Sequence, residues 1–226
     1  ESKPGYGPDA VRYWAASARL GADTAYDVGQ MQIGRRLAMK ILNASKFALG
    51  LGVHAEQVGR TELVTEPIDR ALLQRLEATV AEAGRQYADY QYAAALQSSE
   101  AFFWSFTDDY LELIKDRAYG AAGEDAKVSA QVTLATAIDA LLRIFAPVLP
   151  FATEETWSWW RSGSVHRQAW PELSFGLDAD AELPGTLGTA PPEVRRRKPA
   201  RSDERRVGQE CRSRWSPSPL KHTFCT

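Results

Sequence analysis

The sequence predicts an all-α protein, an antiparallel helical bundle, and three observations carry that prediction. Apolar residues recur every three or four positions along four long stretches between Val28 and Phe145. Capping residues, prolines or glycine pairs bound those stretches, as helix starts and stops require. Apolar and polar residues alternate nowhere for long enough to mark a strand, so helices packed on helices are the natural architecture.

The elements follow in order. Gly5, Gly7 and Pro8 form a breaker cluster, after which Asp9 is expected to cap a short helix over 10–19 carrying Val11, Trp14 and Ala18 at helical spacing. A loop over 21–24 leads to Asp27, placed to cap the helix at 28–49. At ~100° per residue, Ile33, Leu37, Ile41, Ala44 and Ala48 fall on one arc of that helix, the core stripe. Arg36, Lys40, Asn43 and Phe47 share a neighbouring arc, with Arg35 and Lys46 farther from the core; this edge is basic and ends in an aromatic. Glu66-Pro67 opens a helix that runs through Leu72, Leu73, Leu76, Val80 and Ala83 to residue 86, proline being suited to a first turn. After a tight junction at 87–90, the aromatic-rich run 91–119 reads as one helix with Leu96, Phe103, Tyr110, Leu111 and Ile114 inward, broken by Gly120 and Gly123. A last long helix spans 124–145 with Val128, Val132, Ala135, Leu142 and Phe145 inward, and Pro147 stops it. Thr153 is expected to cap a short helix over 154–160, which holds three of the seven tryptophans.

Composition narrows the class. The 226 residues are 44% hydrophobic, 10% aromatic and 25% charged, ordinary for a globular protein and unlike collagen, mucin or a disordered chain. The longest apolar run, 144–152, is interrupted by Pro147 and Pro150 and falls short of the roughly 20 residues of a membrane helix. No apolar segment follows the charged N-terminus as in a signal peptide, so no membrane association and a cytoplasmic location are expected. The net charge of −2 divides unevenly: residues 195–226 hold 10 Lys and Arg against 3 Asp and Glu, or +7, and the remainder carries −9. Cys211 and Cys225 both lie in that basic tail, which excludes a disulfide scaffold or thiolate zinc site from the body. Periodicity is lost from Ser174 onward, so 174–200 reads as a linker, and Arg195 to Lys198 as a solvated basic run. The string RSDERRVGQECRSRWSP, 201–217, resembles a translated sequencing-library adapter, and 201–226 are therefore expected to be a non-native read-through tail.

Catalytic signals fail on inspection. GLGVHA at 50–55 fits a relaxed dinucleotide fingerprint, but it follows a helix where the fingerprint must follow a strand. His54 and His166 have no second ligand at metal-binding spacing, and the carboxylates Asp108, Asp109, Glu112, Glu154 and Glu155 read as solvated helix faces. No phosphate-binding loop or nucleophile elbow occurs, so no catalytic and no metal residue is predicted.

Five strings together resemble the valyl-tRNA synthetases: DAVRYWAASARLG at 9–21, GRRLAMKILNASKF at 34–47, FFWSF at 102–106, FAPVLPFATEE at 145–155 and SVHR at 164–167. The block Pro-x-x-Pro-Phe-x-Thr-Glu-Glu resembles one shared by the valine, isoleucine and leucine enzymes, whereas the first string and the ending SVHR-x-x-WP point to valine. The resemblance implies that residues 1–27 end a class I catalytic region, that 28–173 form an anticodon-binding helical bundle, and that the chain is a piece of a larger enzyme. It implies valine activation with ATP and Mg2+ and transfer to tRNA by a parent enzyme that is a monomer and edits mischarged threonine. The ATP signatures HIGH and KMSKS are missing from these residues, so the piece is expected to bind no cofactor and to be inactive alone.

Under that resemblance the edge of helix 28–49 becomes a candidate tRNA surface. Sequence-specific RNA recognition targets unpaired loops, whose bases stack on aromatics and whose phosphates meet cations. Arg35, Arg36, Lys40 and Lys46 are expected to neutralise phosphates, Asn43 to meet a base edge and Phe47 to offer a stacking face. The alternatives are a fragment of the isoleucine enzyme, or a non-catalytic helical module that binds RNA or protein.

Overall fold

Capping chemistry sets out the helices as the chain is followed through the computed structural model, which describes residues 5–176. Seven α-helices form: α1 (Pro8–Ala16), α2 (Val28–Gly50), α3 (Pro67–Ala88), α4 (Tyr92–Ser105), α5 (Leu111–Ala118), α6 (Glu124–Phe145) and α7 (Pro150–Ser158). There is no strand among the described residues. The expected read-through tail at 201–226, and the expected linker from residue 177 on, lie outside them. Asp27 starts α2 as anticipated, its Oδ1 accepting from the backbone N–H groups of Gly29 (2.7 Å) and Gln30 (3.2 Å). Leu37, Ile41, Ala44 and Ala48 are buried, while Ile33 is half-buried at the margin. The glycines of the 50–55 string end this helix, and Gln131 Nε2 donates to the Leu51 carbonyl at 2.7 Å. Tyr90 turns the chain from α3 into α4 with φ 59°, left-handed backbone that a tyrosine seldom adopts.

At the centre lies α6. It is long and apolar enough to cross a membrane, with a mean hydropathy of 1.4, yet 89% of that stretch is buried inside the protein. Every residue from Ser129 to Leu142 is buried. Two of its hydroxyls are satisfied locally, Thr133 and Thr136 donating to carbonyls one turn back. Around α6 pack α3, α4, α5 and α7, while α1 lies on α2. The α1–α2 crossing is close: a Cβ on Gly34 would stand 2.4 Å from the Cβ of Tyr13.

A buried ion pair joins three of these helices. Asp69, in the first turn of α3, is fully buried and accepts from Tyr110 Oη (2.7 Å), Ser129 Oγ (2.7 Å) and both Arg117 terminal nitrogens (2.7 and 2.5 Å). Ser129 Oγ in turn accepts from the backbone N–H groups of Thr65 and Glu66, which fixes the approach to α3. Burial, with Asp69 beside it, pushes the Tyr110 phenol well above its ordinary range. Burial alone would lower the Arg117 guanidinium; its bonds to Asp69 outweigh that and raise it.

Three expectations need correction. The run 91–119 is not one regular helix: Phe106–Tyr110 form a π-helical turn, in which the Leu111 N–H reaches the Phe106 carbonyl five residues back. The wider turn keeps Phe106, Thr107 and Tyr110 all buried, with the Phe102, Phe106 and Tyr110 rings stacked in sequence. Thr153 does not cap the last helix; α7 begins at Pro150, and Thr153 lies buried within it, donating to the Leu149 carbonyl at 2.9 Å. Nor does Asp9 cap its own helix. Gly7 stands at that position, and the Asp9 carboxylate instead accepts from the N–H groups of Phe151 (3.1 Å) and Ala152 (2.8 Å), capping α7 from α1.

This remote cap gathers three of the sequence strings into one junction. Arg12 Nη2 donates to the Pro147 carbonyl at 2.5 Å, and His166 Nε2 lies 3.1 Å from the Pro150 carbonyl. Glu154 Oε2 accepts from Ser164 Oγ (3.0 Å) and the Val165 N–H (2.9 Å). The chain then returns over α3, where Trp170 meets the Tyr87 ring and the Phe175 N–H donates to Glu77.

Candidate nucleic-acid interface

The outer edge of α2 exists as a surface. Arg35, Arg36, Asn43 and Lys46 are exposed, and their side chains make no hydrogen bond or ion pair among the described residues. Lys40 differs: its Nζ lies 2.9 Å from Asp108 Oδ1 and 5.9 Å from the centre of the Trp104 ring. The pair is half-exposed, so solvent screens it and it contributes little to stability. Phe47 is half-buried against the core, with Lys115 Nζ 5.9 Å from its ring centre. The structure therefore places Arg35, Arg36, Asn43 and Lys46 free in solvent, ties Lys40 to α4 and the turn after it, and gives Phe47 one packed side and one cationic neighbour.

Four further residues extend this edge. Besides Lys115 they are Trp104, Glu100 and Tyr13: the Glu100 carboxylate accepts from Tyr13 Oη (2.7 Å) and Trp104 Nε1 (3.0 Å). Burial and this carboxylate together hold the Tyr13 phenol in its neutral, donating form. Glu100 and Trp104 are one helical turn apart and thus could have been paired from spacing. Tyr13 is 87 positions away from Glu100, and no local signal links them. The three residues line part of a solvent-open cleft of 810 Å³ between α1 and α4. Among the described residues no group of three His, Cys, Asp or Glu is placed to hold a metal ion.

With this geometry in view, similarity to known proteins can be assigned. The valine--tRNA ligase of Salinispora tropica is 54% identical over 179 residues, which cover 78% of this chain and 21% of that protein. That of Salinispora arenicola is 57% identical over 166 residues (74% and 19%), and that of Leifsonia xyli subsp. xyli 49% identical over 208 residues (89% and 24%). The chain thus spans about a fifth of the length of the curated relatives it matches. Among solved structures, an Agrobacterium radiobacter K84 LeuRS in a ternary complex with tRNA and LeuAMS superposes with a TM-score of 0.59 at 16% identity, over 84% of this chain and 26% of that one, a likeness of fold. A family model described as the anticodon-binding domain of tRNA ligase matches residues 69–198, more than half of the sequence, and the chain belongs to that family.

Proposed function

We propose that this chain is the tRNA-reading part of a valine--tRNA ligase, in which residues 28–173 grip the anticodon region and residues 1–27 end the catalytic region. The observation that carries the reading is the edge of α2: three cations, Arg35, Arg36 and Lys46, free of internal partners beside Asn43, in a chain of the anticodon-binding family. Cations with no internal partner are available to phosphates, and Asn43 offers both a donor and an acceptor to a base edge. Lys40 contributes through exchange, its exposed bond to Asp108 giving way to a phosphate. Phe47 and Lys115 form a flat aromatic and cationic step at the end of the strip. Relatives named valine--tRNA ligases support valine over isoleucine as the amino acid of the parent enzyme, which works in the cytoplasm.

The activity of the parent, activation of valine with ATP and Mg2+ and transfer to tRNA, belongs to sequence outside these residues. The glycines at 50 and 52 end α2, with Gly52 packed close to Gln131, so the 50–55 string forms a helix terminus and not a phosphate-binding loop.

Binding of this chain to valine-specific tRNA between 50 and 200 mM salt tests the reading. Each phosphate contact in a single strand contributes about 0.7 to the slope of log affinity against log salt, so Arg35→Ala with Arg36→Ala flattens it by about 1.4. An unchanged slope would sink the assignment.

A further inference from the structure

The cleft between α1 and α4 is unlike the apolar gaps of a helical bundle. One wall carries a carboxylate whose two oxygens are already oriented, Glu100, fixed by Tyr13 Oη at 2.7 Å and Trp104 Nε1 at 3.0 Å. A carboxylate has about four acceptor sites, so this one retains capacity for further donors. Tyr90 and Tyr92, both exposed, and Gln97 line the same cleft. Trp104 belongs to two surfaces: its N–H faces Glu100, and Lys40 of the α2 edge lies 5.9 Å from its ring centre. Trp104 therefore joins the cleft to the basic strip at Lys40.

We propose that this cleft receives a single unpaired nucleotide of the bound tRNA, its base stacked on the aromatic wall and donating N–H groups to Glu100 and the Gln97 amide. The inference rests on the tRNA-binding reading above. Unpaired bases splayed from an RNA loop are held by aromatic stacking and by hydrogen bonds to their edges. The carboxylate repels a phosphate, so it is the base that enters, while the backbone stays outside on the cations of α2. An acceptor-rich site favours adenine, cytosine or guanine, which carry exocyclic amines, over uracil, which has none. A protein segment could also use aromatic and amide groups; continuity with three unpartnered cations favours the polyanion.

Two variants and one crosslink test this with the chain as it stands and valine-specific tRNA. Gln97→Ala, at an exposed site, and Tyr92→Ala are each expected to weaken binding about tenfold, the scale of losing one base contact, with the salt slope unchanged because no phosphate contact is lost. Ultraviolet crosslinking of the wild-type complex is expected to label the tryptic peptide 86–115, which carries Tyr90, Tyr92 and Trp104. Affinities within twofold of wild type and no label on that peptide overturn the proposal and leave the cleft to a protein segment. If Arg35→Ala with Arg36→Ala still flattens the salt slope in that case, tRNA binding stands and only the cleft assignment falls. If the chain does not bind tRNA, both fall.

Discussion

Replacing Asp69 with Asn exchanges one buried carboxylate oxygen for an amide that can only donate. Each oxygen receives two donors, Oδ1 from Tyr110 and Arg117 and Oδ2 from Ser129 and Arg117, so neither orientation of the amide avoids a clash of donors. Tyr110 and Ser129 can rotate their hydroxyls, but the guanidinium cannot accept. The variant also leaves the Arg117 charge unpaired, and that side chain is only 12% exposed. Breaking a buried pair from one side costs about 3–5 kcal/mol, and the residual exposure of Arg117 puts Asp69→Asn at about 3 kcal/mol. At about 2–4 °C per kcal/mol for a domain of this size, the melting temperature falls by about 6–12 °C. Thermal melts followed by circular dichroism at 222 nm read this directly. A shift below 2 °C would mean that Arg117 finds equivalent partners without Asp69 and that the buried pair is not what holds these helices together. The double variant Asp69→Asn with Arg117→Gln removes the stranded charge, and it is expected to melt above the single one.

Alkali and the α1–α2 crossing offer further tests. Because burial raises the Tyr110 phenol, the unfolded chain ionises first, at about 10; stability is full below that pH and falls as pH climbs toward the folded value. The urea midpoint should decline above pH 10, and Tyr110→Phe should flatten that decline; parallel curves would contradict it. Gly34→Ala drives a methyl to 2.4 Å from Tyr13 Cβ, an overpacking cost of about 1–3 kcal/mol that outweighs the helical gain over glycine of about 1 kcal/mol. At Gly50 nothing lies within 4 Å, so Gly50→Ala should leave the urea midpoint unchanged or raised. Equal midpoints in the two variants would rule out the close crossing.

What was legible in the sequence was what local chemistry decides. Asp27 before a helix, Pro67 in a first turn and the periodic stripe of α2 depend on residues within a few positions of one another, and each is found where spacing put it. The strip on α2 was legible for the same reason, since helical phase alone sets which side chains share an edge. What was not legible depends on partners far along the chain. Asp9 looks like an ordinary capping residue, and only packing shows that it caps a helix 142 positions away. Asp69 looks like a first-turn acid, yet it is the hub of three helices. The charge of Lys40 was visible, but not that Asp108, 68 positions on, would share it. The π-helical turn carries the Phe106 and Tyr110 rings of a stack that begins at Phe102, and no local propensity encodes it.

The junction between α1 and α7 has a consequence for time as well as for structure. Tying residue 9 to residues 151 and 152 closes nearly the whole described chain into one loop. Closing so long a loop from an open chain costs about 4 kcal/mol in its length-dependent part alone. The contact is therefore expected to form late, once α2 to α6 have drawn the two ends together. Interactions absent from the transition state govern how fast a protein unfolds and leave its folding rate nearly untouched. Removing the Asp9 carboxylate is thus expected to shorten the lifetime of the folded bundle while leaving the rate at which it is made nearly unchanged.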